Sequence, residues 1–344
     1  MGSSPTTLVA PGLRTAARTG WRGSVAGALH VVASQPALWL LGALGFLVRG
    51  GAILLTLAIL VLPSPVSVRL MLGSYLGSFG LTPEFWLALA VGLALLGAGV
   101  VLALVVSAAV EIAAFERFVA AEPAPLSDAP VASRLTPAAR RRLLAALVGV
   151  QLVGVALLAA AAVPIVVTAV GATYEELVRP SLAGGALYGR VLSKLGEPLF
   201  GWLVVLVVVE MVGAAASRRL LARSLGLAGG GAGAGLERWR SVFVAVPVAI
   251  GAGLMRPIRR PLSTLPTALL GWLATFAVLA PLGWLLALAW EATRVQYLGG
   301  ASLVAVPGLL LVAALLCVVW LGGVAMAGFA SAVRCALWTS EELR

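Results

Sequence analysis

Six long apolar runs, each close to the length needed to cross a lipid bilayer, constrain this sequence more than any other feature. They fall at about residues 37–62, 85–110, 143–170, 199–216, 266–290 and 303–330. The hydrocarbon core of a bilayer is about 30 Å thick, so a spanning helix needs about 20 mostly apolar residues. No water is present there to satisfy backbone groups, so each run must close its own hydrogen bonds as a helix. A transmembrane β-barrel would alternate in pieces of about ten residues, whereas these Leu/Ala/Val runs are continuous. Composition agrees: 61% of residues are hydrophobic and 11% charged, against roughly 45–50% and about 25% in soluble proteins. So few charges could not cover that apolar surplus in water. The expected fold class is all-α: a polytopic membrane helical bundle with six spans in three degenerate hairpin repeats and with interfacial amphipathic helices.

The chain reads as a single membrane domain. Residues 1–36 form a cytoplasmic or interfacial lead-in, 37–121 hairpin 1, 138–224 hairpin 2, 225–238 a Gly-rich linker, and 239–344 an interfacial element plus hairpin 3. In the lead-in, Arg14, Arg18 and Arg22 recur every four residues, which puts them on one helical face. That pattern predicts an amphipathic helix on the membrane surface; an organelle transit peptide is the alternative, and a secretory signal lacks its short apolar core. Pro63, Ser64 and Pro65 stop span 1, Pro164 lies near the outer end of span 3, and Pro281 predicts a kink in span 5. A further run, 242–255, is too short to span comfortably. It is expected to be interfacial or re-entrant, with a seventh span as the alternative.

Basic residues near span ends set orientation. The net charge of +11 comes almost wholly from arginine, Lys194 being the single lysine. Eighteen basic residues fall in the N-terminal segment, the loops after spans 2 and 4, and the tail; five fall in the loops after spans 1, 3 and 5. This split predicts a multi-pass protein of the cell membrane with both termini cytoplasmic. The basic loops suit anionic lipid better than nucleic acid, for which no folded module has room. Tyr75, Tyr174, Tyr188 and Tyr297 all fall in the predicted outer loops. Interfacial anchoring explains them; an outer groove shared with Arg69, Arg179 and Arg294 is the sharper reading.

A long-period repeat is visible. Trp21-Arg22 before Ser24-Val25 matches Trp239-Arg240 before Ser241-Val242, and Pro36-Ala-Leu-Trp-Leu-Leu-Gly42 matches Pro266-Thr-Ala-Leu-Leu-Gly271. Amphipathic tails follow the even spans at 115–121, 218–224 and 334–343. This layout resembles prokaryotic six-span proteins of unknown function related to the membrane domain attached to some glycerophosphodiester phosphodiesterases. The resemblance lies in layout and carries no specific motif. It implies no catalytic activity, because the phosphodiesterase domain is absent.

Scarcity excludes much chemistry. His30 is the only histidine and Asp128 the only aspartate, so a two-histidine metal site, a paired-Asp protease and multi-aspartate lipid transferases cannot form in one chain. No GxSxG elbow is present. The run Gly229–Gly235 lacks the Lys-Ser/Thr of a P-loop and reads as a flexible linker. Cys317 and Cys335 lie 18 positions apart on one predicted helix, about 27 Å, too far for a disulfide. No cofactor, metal site or catalytic set is expected. An ATPase or other membrane subunit would have to supply energy.

The candidate functional residues are the charges placed within apolar runs, where they are costly and face a partner or a wet cavity. Arg49 in span 1 and Glu210 in span 4 lie at depths compatible with pairing, as a clamp between hairpins or as the lining of a path, with snorkelling toward the interface as the alternative. Tyr174, Glu175, Glu176 and Arg179, with Glu291 and Arg294, form an outer-face polar cluster, read by default as solvated; the first four resemble a helix start. Glu111 and Glu116 are expected at the interface. Small residues at four-residue spacing mark helix contacts: Gly99, Ala103 and Ser107 in span 2, and Gly323, Ala327 and Ser331 in span 6. Together these features predict a non-enzymatic permease-like or scaffold component. A stand-alone secondary transporter and an intramembrane lipid-modifying enzyme are the alternatives.

Overall fold

The computed structural model describes residues 21–57, 76–77, 80–120, 137–178, 187–224, 242–298 and 305–343. They are almost wholly helical. In chain order the elements are α1 (Trp21–Ser34), α2 (Pro36–Phe46), a π-helical turn (Leu47–Gly51), α3 (Ala52–Leu57), β1 (Leu76–Gly77), β2 (Gly80–Leu81), α4 (Pro83–Ala120), α5 (Pro137–Val178), α6 (Leu187–Lys194), α7 (Gly196–Ser224), α8 (Val242–Arg259), α9 (Pro261–Leu298) and α10 (Ala305–Leu343). The two short strands pair antiparallel, Leu76 with Leu81 and Gly77 with Gly80.

Six segments are long and apolar enough to cross a membrane: Pro36–Leu55, Pro83–Ala120, Pro137–Glu176, Gly196–Ser224, Pro261–Ala292 and Leu310–Glu342. The chain is therefore a multi-pass membrane protein by length and composition. Residues 242–255 belong to α8, which is outside that set. Several spans outlast the apolar runs that predicted them. At ~1.5 Å per residue, α4 is about 57 Å long and α5 about 63 Å, beyond the ~40–45 Å of a whole bilayer. The helix therefore continues through Arg140–Arg142 at one end of α5 and through Tyr174-Glu175-Glu176 at the other. Span 5 also starts earlier than expected. The proline at its first turn is Pro261, and Pro266 lies inside α9. A proline suits the first helical turn because its missing N–H is unneeded there. Pro36 does the same for α2, so both lead-in helices, α1 and α8, stop two residues before a proline that opens a span.

The chain packs as two compact units: Met1–Pro123 with Leu269–Ser340, and Ala124–Ala268 with Glu341–Arg344. Hairpins 1 and 3 thus supply unit 1, and hairpin 2 supplies unit 2 together with α8. Sequence order had grouped α8 with hairpin 3. Its small face explains the difference: Ala245, Ala249 and Gly253 are buried. A Cβ added at Gly253 would lie 2.6 Å from the Val212 carbonyl oxygen of α7, and one at Gly149 of α5 would lie 2.7 Å from Val246 Cγ2.

In unit 1 the main core is built from α1, the start of α2, the end of α4 and the end of α10. Ala28, Val32, Leu38, Phe118, Val333 and Leu337 meet there. Trp39 Nε1 donates to the Val32 carbonyl oxygen at 2.7 Å, tying α2 back to α1 across the Gln35 break. Trp39 also meets Phe329 edge to face at 5.0 Å. The tails of α4, α7 and α10 are buried at Phe118, Leu221 and Leu337 rather than lying alone on a surface. The first half of α4 is the opposite, with Trp86, Leu95 and Leu102 all exposed.

Two of the packing expectations separate here. In span 6, Gly323 packs against Leu282, and Ala327 and Ser331 are buried. In span 2 only Ser107 is buried; Ala103 is half-buried and Gly99 faces open space. A four-residue stripe follows one face of a helix, but α4 finds its partners only toward its C-terminal end. One close approach in unit 1 was not anticipated: Gly42 of α2 lies against Gly328 of α10, and a Cβ on Gly328 would stand 2.7 Å from the Trp39 carbonyl oxygen.

Candidate functional site

Span 1 is broken. After α2, Arg49 and Gly50 leave helical geometry, Gly50 with φ of +98°. Only glycine takes that left-handed conformation without a steric penalty. The break frees Arg49 to turn toward α4. Its Nε donates to Ser107 Oγ at 2.8 Å, and its Nη2 forms an ion pair with Glu111 Oε1. The Glu111 side chain is only 8% exposed, that of Arg49 34%. Glu111 Oε2 is buried and has no hydrogen-bond partner.

A small cavity of about 20 Å³ adjoins the pair, room for about one water. Gly45, Arg49, Glu111, Phe118, Ser331 and Cys335 are among its walls. The cavity is mostly apolar, with Arg49, Glu111 and Ser331 as its polar walls.

Arg49 thus has Glu111, which the sequence placed at the interface, as an ion-pair partner. Glu210 is half-buried on α7 in unit 2. One signal was available: Ser107 and Glu111 are four apart, so a buried Ser107 carries Glu111 to the same face.

The outer cluster is also revised. Glu175 and Glu176 stand in the last turns of α5, so they end a helix and do not begin one. Arg190 Nε of α6 donates to Glu176 Oε2 at 2.9 Å, and Lys194 Nζ lies 3.1 Å from Glu175 Oε2 and 3.0 Å from Glu176 Oε1. These hydrogen bonds, Glu176 first and then Glu175, hold the Lys194 ammonium above its ordinary pKa. Glu176 is buried, while Glu175 and Tyr174 are exposed. The arrangement pins α6 to the end of α5 and presents no paired free acids. Glu291 is exposed and belongs to unit 1. Arg179 and the side chain of Arg294 lie outside the described residues, as do Arg14, Arg18, Tyr75, Arg69 and the Gly-rich linker.

Two polar features escaped the sequence reading. Gln151 sits within α5, and both its amide atoms are buried without a hydrogen-bond partner. A Cβ at Gly154, one turn on, would lie 3.2 Å from Val209 Cγ1, beside Glu210. In the same unit, Arg256 of α8 meets the end of α10. Its Nη2 donates to the Glu341 carbonyl oxygen at 2.6 Å, its Nη1 pairs with Glu342, and Ser263 Oγ donates to Glu341 Oε1 at 2.8 Å. Burial lowers the Arg256 pKa, and the Glu341 charge opposes that shift.

Among the described residues no group of three His, Cys, Asp or Glu side chains could hold a metal. Cys317 and Cys335 are both free thiols. No protein family, curated protein or solved structure matches this chain.

Proposed function

We propose that this chain is a non-enzymatic, permease-like component of a prokaryotic cell-envelope membrane. In this reading it handles a lipid or small solute together with partner subunits, an ATPase among the candidates, and both termini are cytoplasmic. The observation that carries it is the Arg49–Glu111 pair beside a cavity at a helix break. Broken helices with charged linings recur where membrane proteins pass polar groups. Counted at ~1.5 Å per residue, Glu111 lies about 42 Å along α4 from Pro83, past a ~30 Å hydrocarbon core. The pair therefore suits the mouth of a path on the cytoplasmic side, a position that the eighteen-to-five split of basic residues assigns. The scarcity of His and Asp argues against an enzyme.

Cys335 is a built-in reporter, since it lines the cavity, and Cys317 can be removed by Cys317→Ser. In membrane vesicles of both orientations, an impermeant maleimide is expected to label Cys335 only from the cytoplasmic face. The rate should rise severalfold in Glu111→Gln. A Cys335 that stays unlabelled from both sides, with and without that substitution, would reject the reading.

The buried Gln151 amide, one turn from where Gly154 of α5 meets Val209 of α7, favours a second reading, a stand-alone secondary transporter with its polar layer in unit 2. Proteoliposomes loaded with a pH dye and given a potassium diffusion potential would then show proton flux that Glu210→Gln abolishes. Flux no greater than in empty liposomes would exclude proton coupling by this chain alone.

A further inference from the structure

Unit 2 gathers arginines at one end. Trp202 Nε1 of α7 donates to the Leu158 carbonyl oxygen of α5 at 3.2 Å, and Gly154 of α5 faces Val209 of α7. The two helices therefore run antiparallel. That brings the triplet Arg140–Arg142, at the start of α5, to the same end as Arg219 and Arg223 near the close of α7. α8 crosses α7 where Gly253 meets Val212 and Ala216. Its last turn then delivers Arg256 and Arg259, with Arg260 just beyond, to that end. The crowding is electrostatic as well as geometric, because Arg260 and Arg219 both act on the Arg256 guanidinium.

Glu341 and Glu342 at this end are both engaged by Arg256. Arg141, Arg142, Arg259 and Arg260 are exposed. Beside them α8 keeps an exposed apolar strip of Val244, Val248, Leu254, Met255 and Ile258. Guanidinium forks match phosphate oxygens bidentately. An apolar strip has no use for a free anion but is suited to an acyl chain.

We propose that this end of unit 2 is a binding site for the phosphate headgroup of an anionic lipid, with the arginines of α5, α7 and α8 holding the phosphate and the apolar strip of α8 receiving an acyl chain. The inference is independent of what passes the Arg49–Glu111 cavity.

The test uses the purified full-length chain in a neutral maltoside detergent with a fluorescent phosphatidylglycerol as probe. Unlabelled phosphatidylglycerol should displace it. Phosphatidylcholine and millimolar inorganic phosphate should compete at least tenfold less well. Each basic residue near a lipid surface contributes about fivefold in affinity, so Arg259→Gln/Arg260→Gln should weaken binding about 25-fold. Arg141→Gln/Arg142→Gln, on another helix at the same end, should weaken it in the same direction, and Lys194→Gln at the opposite end should leave it unchanged. Equal competition by phosphatidylcholine would overturn the charge requirement, and equal competition by inorganic phosphate would overturn the lipid as ligand. Wild-type affinity in both arginine pairs would overturn the site itself. Should one pair fail to fold, the other decides.

Discussion

Breaking the Arg49–Glu111 pair from each side, and then from both, is the sharpest physical test of unit 1. Arg49→Met removes the ion pair and the 2.8 Å hydrogen bond to Ser107. It leaves Glu111 in a site where its side chain is 8% exposed and one carboxylate oxygen already has no hydrogen-bond partner. An uncompensated buried charge of this kind costs about 3–5 kcal/mol. Glu111→Leu leaves Arg49 instead, but that side chain is 34% exposed. Its long stem can carry the guanidinium toward water or headgroups, and its bond to Ser107 can remain, so the expected loss is nearer 1–2 kcal/mol. The double variant replaces both charges with apolar groups of similar bulk. Such replacements are often neutral or stabilising, so its stability should fall within about 1 kcal/mol of the parent. Reversible unfolding in mixed detergent micelles, run as a double-mutant cycle, measures the coupling. It should be about 3 kcal/mol or more, with Arg49→Met the worst of the three. If the two single losses simply add in the double variant, the pair does not interact as described and the reasoning fails.

Three further outcomes follow from the same structure. Gly42→Ala would push a Cβ into the Gly328 carbonyl and to 3.0 Å from the Ala332 nitrogen, so thermal unfolding in detergent should show a loss of about 1–3 kcal/mol; Gly99→Ala, facing open space, should be neutral or stabilising by up to about 1 kcal/mol. Gly50→Ala meets no atom within 4 Å yet must hold φ near +98°, which costs about 1–2 kcal/mol; an unchanged melting temperature would mean that the break at Arg49 is not held by this conformation. The raised Lys194 pKa means that its contribution is complete below the ordinary value of 10.5 and is lost as pH rises through the higher folded value. Hydrogen exchange in α6 should accelerate over that alkaline range, and Lys194→Met should remove the pH dependence.

The acids at the end of α5 illustrate how much the sequence left open. Glu175 and Glu176 read as a solvated helix start because the apolar run ends before them, and hydropathy does not register that helical geometry continues. Their partners, Arg190 and Lys194, were visible as basic residues, but only the fold of α6 back onto α5 shows them within 3.1 Å. Gln151 was missed because one polar residue barely changes the hydropathy of a long run.

The amino-acid sequence alone determined that this chain is helical and how many segments can cross a bilayer. Lipid acts on each segment separately, and a run of about 20 apolar residues carries its own reason to be a helix. Tertiary structure alone decided that Arg49 meets Glu111, that hairpins 1 and 3 share a unit, and that α8 packs on α5 and α7. Those outcomes depend on which helix faces approach across long stretches of chain. In lipid, where tails are as apolar as leucine, that choice rests on small-residue contacts and a few polar bonds, such as Gly253 against Val212 and Arg49 against Ser107.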